Sequence, residues 1–256
     1  MLDLIALQGM IAHNRGEWFK RLRHELQRTR EAPEIATAVF DAHLCVAEYL
    51  LYGPTPYSEV LQLGAELRAA AQRTGALRAV AFALALSGEA ALLSGDLASA
   101  ERDLLEAVDL HAEIDAAAGE AHSLQRLAEV RVLQGDRAEA RRLLHRALSL
   151  ARWSPLAPHL LQRIYGTMIA ATDSVSDAYA AAERAEAAVG SDDACRFCQV
   201  MVSVPSAIAC ADAGDLDAAG RHLAAAERSA TLWEGTAWQA AVLEARAHLA
   251  NADGDT

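Results

Sequence analysis

The chain has 256 residues, of which 53% are apolar and only 5% aromatic, so its hydrophobic mass is alanine and leucine, strong helix formers with little preference for strands. A formal net charge of −12 leaves no basic face to neutralise phosphates, which argues against nucleic-acid contact by this segment. The longest apolar run, Ala79 to Leu86, is far below the ~18 residues of a membrane span; residues 1–16 lack a cationic start followed by an apolar stretch, and four cysteines (45, 195, 198, 210) make no disulfide framework. A cytoplasmic protein without membrane contact is expected.

In chain order, the first elements are two helix pairs over residues 1–74, with turns near Gly16 and Gly53-Pro54. They depart from the later pairs, because Lys20 or Arg21 stands where a small residue belongs in pair one and Val60 where it belongs in pair two. Residues 75–232 are regular. Gly95-Asp96-Leu97-Ala98-Ser99-Ala100 recurs as Gly135-Asp136-Arg137-Ala138-Glu139-Ala140 and as Gly214-Asp215-Leu216-Asp217-Ala218-Ala219, at spacings of 40 and 79 residues. Thr172-Asp173-Ser174 with Ala178 fills the missing step. Each interval of about 40 residues holds two apolar-periodic stretches, such as Ala118 to Leu133 and Arg137 to Ala151, joined by a turn. Last, residues 236–250 read as the opening helix of a truncated seventh pair, with Trp238, Ala241, Val242, Ala245 and Leu249 on one face. Leu243 and Ala247 on its other flank would be left uncovered, so the chain is expected either to continue past Thr256 or to bury this edge in a homodimer.

These residues resemble the tetratricopeptide repeat, in which a small residue of the first helix packs on a small residue of the second. The matches are Gly88 with Ala100, Ala128 with Ala140, Gly166 with Ala178, and Ala207 with Ala219. Later in each second helix come Leu104 with Ala107, Leu144 with Ala147, Ala182 with Ala185 and Leu223 with Ala226. Small residues let helix axes approach to ~8–10 Å. The resemblance implies a single all-α domain over 1–256: a right-handed α-solenoid of about six and a half antiparallel pairs. The long period is similar to that of the C-terminal sensor arms of large LuxR-type and actinobacterial transcription regulators.

It also implies a function. In such arrays the first helices line a concave groove, and the groove positions here are Ala85, Glu89, Gln125, Glu129, Arg163, Thr167, Val204 and Ile208. They are expected to be exposed and to bind a protein or peptide segment, as the sensing or scaffolding arm of a bacterial signalling or transcription regulator. The alternative is a solenoid that senses a small-molecule effector. No phosphate loop, G-x-S-x-G or H-E-x-x-H occurs, so no catalytic residue, cofactor or enzymatic activity is expected.

Two local features stand outside the repeat. Cys195-Arg196-Phe197-Cys198 follows Ser191-Asp192-Asp193, which reads as a helix N-cap with acidic residues in its first turn, and cysteines at i and i+3 then share a helix face. Buried packing residues are expected there. A metal site or a redox pair remains as an alternative, but only Cys210 or His222 is near in sequence as a further ligand, so no zinc or haem is expected. Pro205 falls inside the first helix of pair six, where it predicts a kink, a restarted helix or a late start capped by Ser203. The histidines, among them His43, His122 and His159, show no ligand spacing.

Overall fold

The computed structural model describes residues 48, 50–53, 55–189, 195–233 and 237–254. The first predicted pair, His43, Cys45 and the Ser191-Asp192-Asp193 cap lie outside the described residues. From Tyr57 onward the described residues form ten helices: α1 (Tyr57–Thr74), α2 (Leu77–Leu93), α3 (Leu97–Glu113), α4 (Ala117–Leu133), α5 (Arg137–Ala151), α6 (Ala157–Ala170), α7 (Val175–Val189), α8 (Gln199–Asp212), α9 (Leu216–Ala230) and α10 (Ala237–Asp253). No strand occurs among the described residues. The protein is all-α, a helical repeat whose neighbouring helices pack pairwise. In the predicted register α2, α4, α6, α8 and α10 are first helices.

The repeated Gly-Asp dipeptide builds the turn within a pair by a local mechanism. Gly95, Gly135 and Gly214 adopt φ of 86°, 84° and 83°, a left-handed conformation that glycine takes without a Cβ penalty. The next residue's N–H then reaches back to close the preceding helix, Asp96 to the Ala91 carbonyl, Asp136 to Arg131 and Asp215 to Cys210, each at 2.9 Å. The same aspartates open the following helix, their carboxylates accepting from the N–H of Ser99, Glu139 and Ala218. The degenerate copy has no glycine, and there Ser174 Oγ accepts from the Asp177 N–H at 3.1 Å. Two residues therefore end one helix and start the next.

The small positions are buried as the register requires. Ala100, Ala140 and Ala219 are fully inaccessible, as are Ala128, Leu104, Leu144, Ala107, Ala147 and Ala226. A Cβ at Gly88 would lie 2.7 Å from Leu104 Cγ and 3.2 Å from the Leu104 backbone nitrogen, so α2 and α3 touch there almost backbone to backbone.

Gly166 also lets α6 approach α8, because a Cβ at Gly166 would collide with the Met201 carbonyl oxygen. That oxygen is the one whose usual helical partner would be the N–H of residue 205, which proline lacks. Pro205 therefore produces neither a restart nor a late start at Ser203. α8 runs unbroken from Gln199, Ser203 is buried within it, and the freed carbonyl lies against a helix that has no side chain at that point.

Contacts divide the chain into two compact units. Of the described residues, unit 1 comprises 48, 50–51 and 55–126, in which α2 packs on both α1 and α3. Of the described residues, unit 2 comprises 52–53, 127–189, 195–233 and 237–254, in which α8 packs on its second helix α9 and on the first helices α6 and α10. On α10, Val242 and Ala245 are buried while Leu243 and Ala247 are exposed, the division of faces that the spacing predicts.

Candidate functional site

The predicted groove positions are not exposed. Glu89, Gln125 and Arg163 have 2%, 1% and 2% of their surface accessible, Ala85, Thr167 and Val204 are buried as well, and Glu129 and Ile208 are half-buried. Side chains one repeat away cover them. Within unit 2, Thr167 Oγ1 donates to Glu129 Oε1 at 3.1 Å across 38 residues of sequence. Within unit 1, Arg126 Nε donates to Glu89 Oε2 at 2.8 Å across 37. First helices thus face one another through polar side chains, and each unit gathers a cluster on that face.

In unit 1 the cluster is Glu48, Glu89, His122 and Arg126, all buried. Arg126 completes the pairing, since its Nη2 lies 2.6 Å from Glu48 Oε1 and its Nε reaches Glu89. His122 Nε2 stands 3.7 and 3.6 Å from the same carboxylates. His122, which shows no acidic partner one turn away in sequence, therefore has two from other elements. Behind it, burial depresses the His111 imidazole to about 4, with the charges of His122 and Arg78 acting in the same direction. The His111 ring occupies the space a side chain at Gly119 would need, and its Nδ1 has no hydrogen-bond partner among the described residues.

In unit 2 the C-x-x-C is not helical, as its shared helix face would require, but forms a turn that leads into α8. The Cys195 carbonyl accepts three hydrogen bonds at 3.1 Å, from the N–H groups of Cys198 and Gln199 and from Gln162 Nε2 on α6. On its other side, Ser229 Oγ donates to the Arg196 carbonyl at 2.7 Å and accepts from the Val200 N–H, while Trp233 Nε1 donates to the Phe197 carbonyl at 2.9 Å. The Phe197 ring meets Trp233 edge-on at 5.9 Å. These bonds hold the turn from both sides.

No protein family matches the chain, and no curated protein matches it in sequence. The site must therefore be read from its own chemistry.

Across from the turn, His159 in the first turn of α6 has Nδ1 3.7 Å from Cys198 Sγ, and one ring nitrogen and both sulfurs lie within 4.8 Å of one another. Arg163, one helical turn further along α6, points Nη2 at Cys198 Sγ from 3.7 Å. Burial alone would lower the His159 pKa, but its hydrogen bonds to Cys195 and Cys198 and their charge outweigh that and raise it to about 10. Cys210 is different: burial, then the nearby Asp215 carboxylate, pushes its thiol up to about 11, which leaves it unreactive at neutral pH. The cysteine pair is buried, as packing residues would be, yet it shares its space with a histidine and an arginine. His159 is the residue that the sequence pattern misses. The signal that locates it is the repeat itself, because His159 and Cys198 are 39 residues apart, one period along neighbouring first helices.

Proposed function

We propose that the protein is a non-catalytic binding module, the sensing or scaffolding arm of a bacterial signalling or transcription regulator, which takes a protein or peptide segment on its first-helix face. The tetratricopeptide-like spacing of its small residues supports that class of module. One observation carries the reading: polar side chains are buried on the first-helix face of both units, Glu89, Gln125 and Arg126 in one and Gln162, Arg163 and Thr167 in the other. Burying polar groups costs free energy that alanine or leucine at the same positions would avoid, which sets this face apart from the alanine and leucine packing within each pair.

The depth of these side chains favours a second reading, a small-molecule sensor. A polar metabolite admitted between first helices reaches groups that a helix laid on the surface does not. Two measurements on the same protein separate the readings. If the first holds, the wild type recovers a defined protein from lysate and Gln125→Ala or Thr167→Val, which change no charge, recovers less of it. A metabolite sensor instead gains thermal stability from cell extract freed of macromolecules. A protein that does neither is not a binding module of this kind.

A further inference from the structure

We propose that His159, Cys195 and Cys198 form a zinc site with three protein ligands and one coordination position left for water or an external donor, tying the start of α6 to the turn that opens α8. Tetrahedral zinc bonds ~2.3 Å to sulfur and ~2.0–2.1 Å to nitrogen place neighbouring ligand atoms ~3.6–3.8 Å apart. The Nδ1 to Cys198 Sγ distance is 3.7 Å, and all three donor atoms fall within 4.8 Å of one another, so an ion fits between them with little movement of the chain. Two thiolates and an imidazole form a donor set that suits zinc rather than calcium or magnesium, which take oxygen.

The surroundings have the second layer that metal ligands need. Each carbonyl of the turn from Cys195 to Phe197 is fixed by a side chain, Gln162 on one side and Ser229 and Trp233 on the other. Gln162 is fully buried, and its Oε1 finds no hydrogen-bond donor among the described residues, an acceptor beside the turn of the kind a metal-bound water satisfies. Two thiolates balance the charge of zinc, and the Arg163 guanidinium beside Cys198 adds a further positive charge, so a neutral or anionic fourth donor is favoured. Zinc takes the thiolate forms of the cysteines and the neutral form of the imidazole, so coordination is coupled to proton release.

Access separates this site from a redox pair. Cys195 and Cys198 are 6% and 0% exposed, which denies a partner thiolate the approach that disulfide exchange requires, whereas His159 is only half-buried and opens a path for an ion. The Glu48, Glu89 and His122 group also gathers three possible ligands, but Arg126 already occupies it with bonds of 2.6 and 2.8 Å.

The test uses the full chain, purified under reducing conditions, stripped with a chelator and titrated with cobalt(II) and then zinc. The expected result is one cobalt per chain, with the visible bands of a tetrahedral ion and near-ultraviolet thiolate-to-cobalt charge transfer, both abolished by stoichiometric zinc. Cys210→Ser keeps these bands, while Cys198→Ser loses most of the charge transfer and His159→Ala binds at least tenfold more weakly. Wild-type protein without charge-transfer bands overturns the proposal, whatever the variants do. So does an undiminished spectrum in the Cys195→Ser, Cys198→Ser double variant, or a Cys195–Cys198 disulfide that forms and is reduced reversibly while cobalt does not bind.

Discussion

In unit 1 a guanidinium stands between two buried carboxylates, whereas in unit 2 two thiols and an imidazole face one another with the nearest guanidinium 3.7 Å from one sulfur. Both clusters sit on the first-helix face, and both join residues one repeat apart. What differs is the cation. Arg126 is covalently part of the chain and completes its cluster in every copy of the protein, so that cluster contributes to the fold. The sulfur–nitrogen cluster has the donor spacing of a metal ion and a charged neighbour that only partly substitutes for one. The same face of the repeat thus carries internal ion pairing in one unit and, in the other, donor atoms at the spacing of metal ligands.

The largest expected effect is on the closed cluster. Glu89→Lys places a second cation against Arg126, and Arg126→Ala strands two buried carboxylates, so each should destabilise by ~3–5 kcal/mol in urea titration. A loss below ~1 kcal/mol, the range of exposed pairs, would mean that this cluster is open to water after all.

Next in size is a pH effect behind that cluster. His111 is held neutral, with its pKa at about 4 against an ordinary 6.5, so the unfolded state binds the proton first as pH falls. Stability should be unaffected above pH 6.5, decline below it, and level off near pH 4, with a total loss on the order of 3 kcal/mol at ~1.4 kcal/mol per pKa unit. His111→Leu should remove this part of the acid sensitivity, measured as the difference between the two proteins' urea midpoints from about pH 7 to about pH 4. An equal decline in both would assign it elsewhere.

Smaller effects probe the scaffold that both clusters share. Ala100→Leu, Ala140→Leu and Ala219→Leu should each overpack a helix crossing and cost ~1–3 kcal/mol, and three unchanged melting temperatures would contradict the register. Asp136→Ala removes one N-cap and should cost ~1 kcal/mol, leaving the helices themselves intact by circular dichroism.

The scaffold was legible because its determinants are local. Gly95-Asp96 dictates its own turn, and the spacing that predicts a helix from Arg137 to Ala151 matches α5 at both ends. The site was not legible, because its contacts run between repeats. Glu89 reads as a groove residue until Arg126, 37 positions on, is seen to cover it, and Pro205 reads as a break until Gly166 is found against the carbonyl it frees. The same holds for Gln162 and the Cys195 carbonyl, 33 residues apart, and for His159 and Cys198, 39 apart. A search one period on, within two helical turns either way, reaches these partners, whereas spacing within a single helix cannot.

The most direct test of the difference between the two clusters is native mass spectrometry of the chelator-stripped chain after addition of excess zinc and removal of loosely bound ions. One retained zinc per chain, absent from the Cys195→Ser, Cys198→Ser double variant and present in Cys210→Ser, is the predicted result. No retained zinc would remove the sulfur–nitrogen site, and a second zinc lost on Glu48→Gln would show that Arg126 does not close the cluster in unit 1.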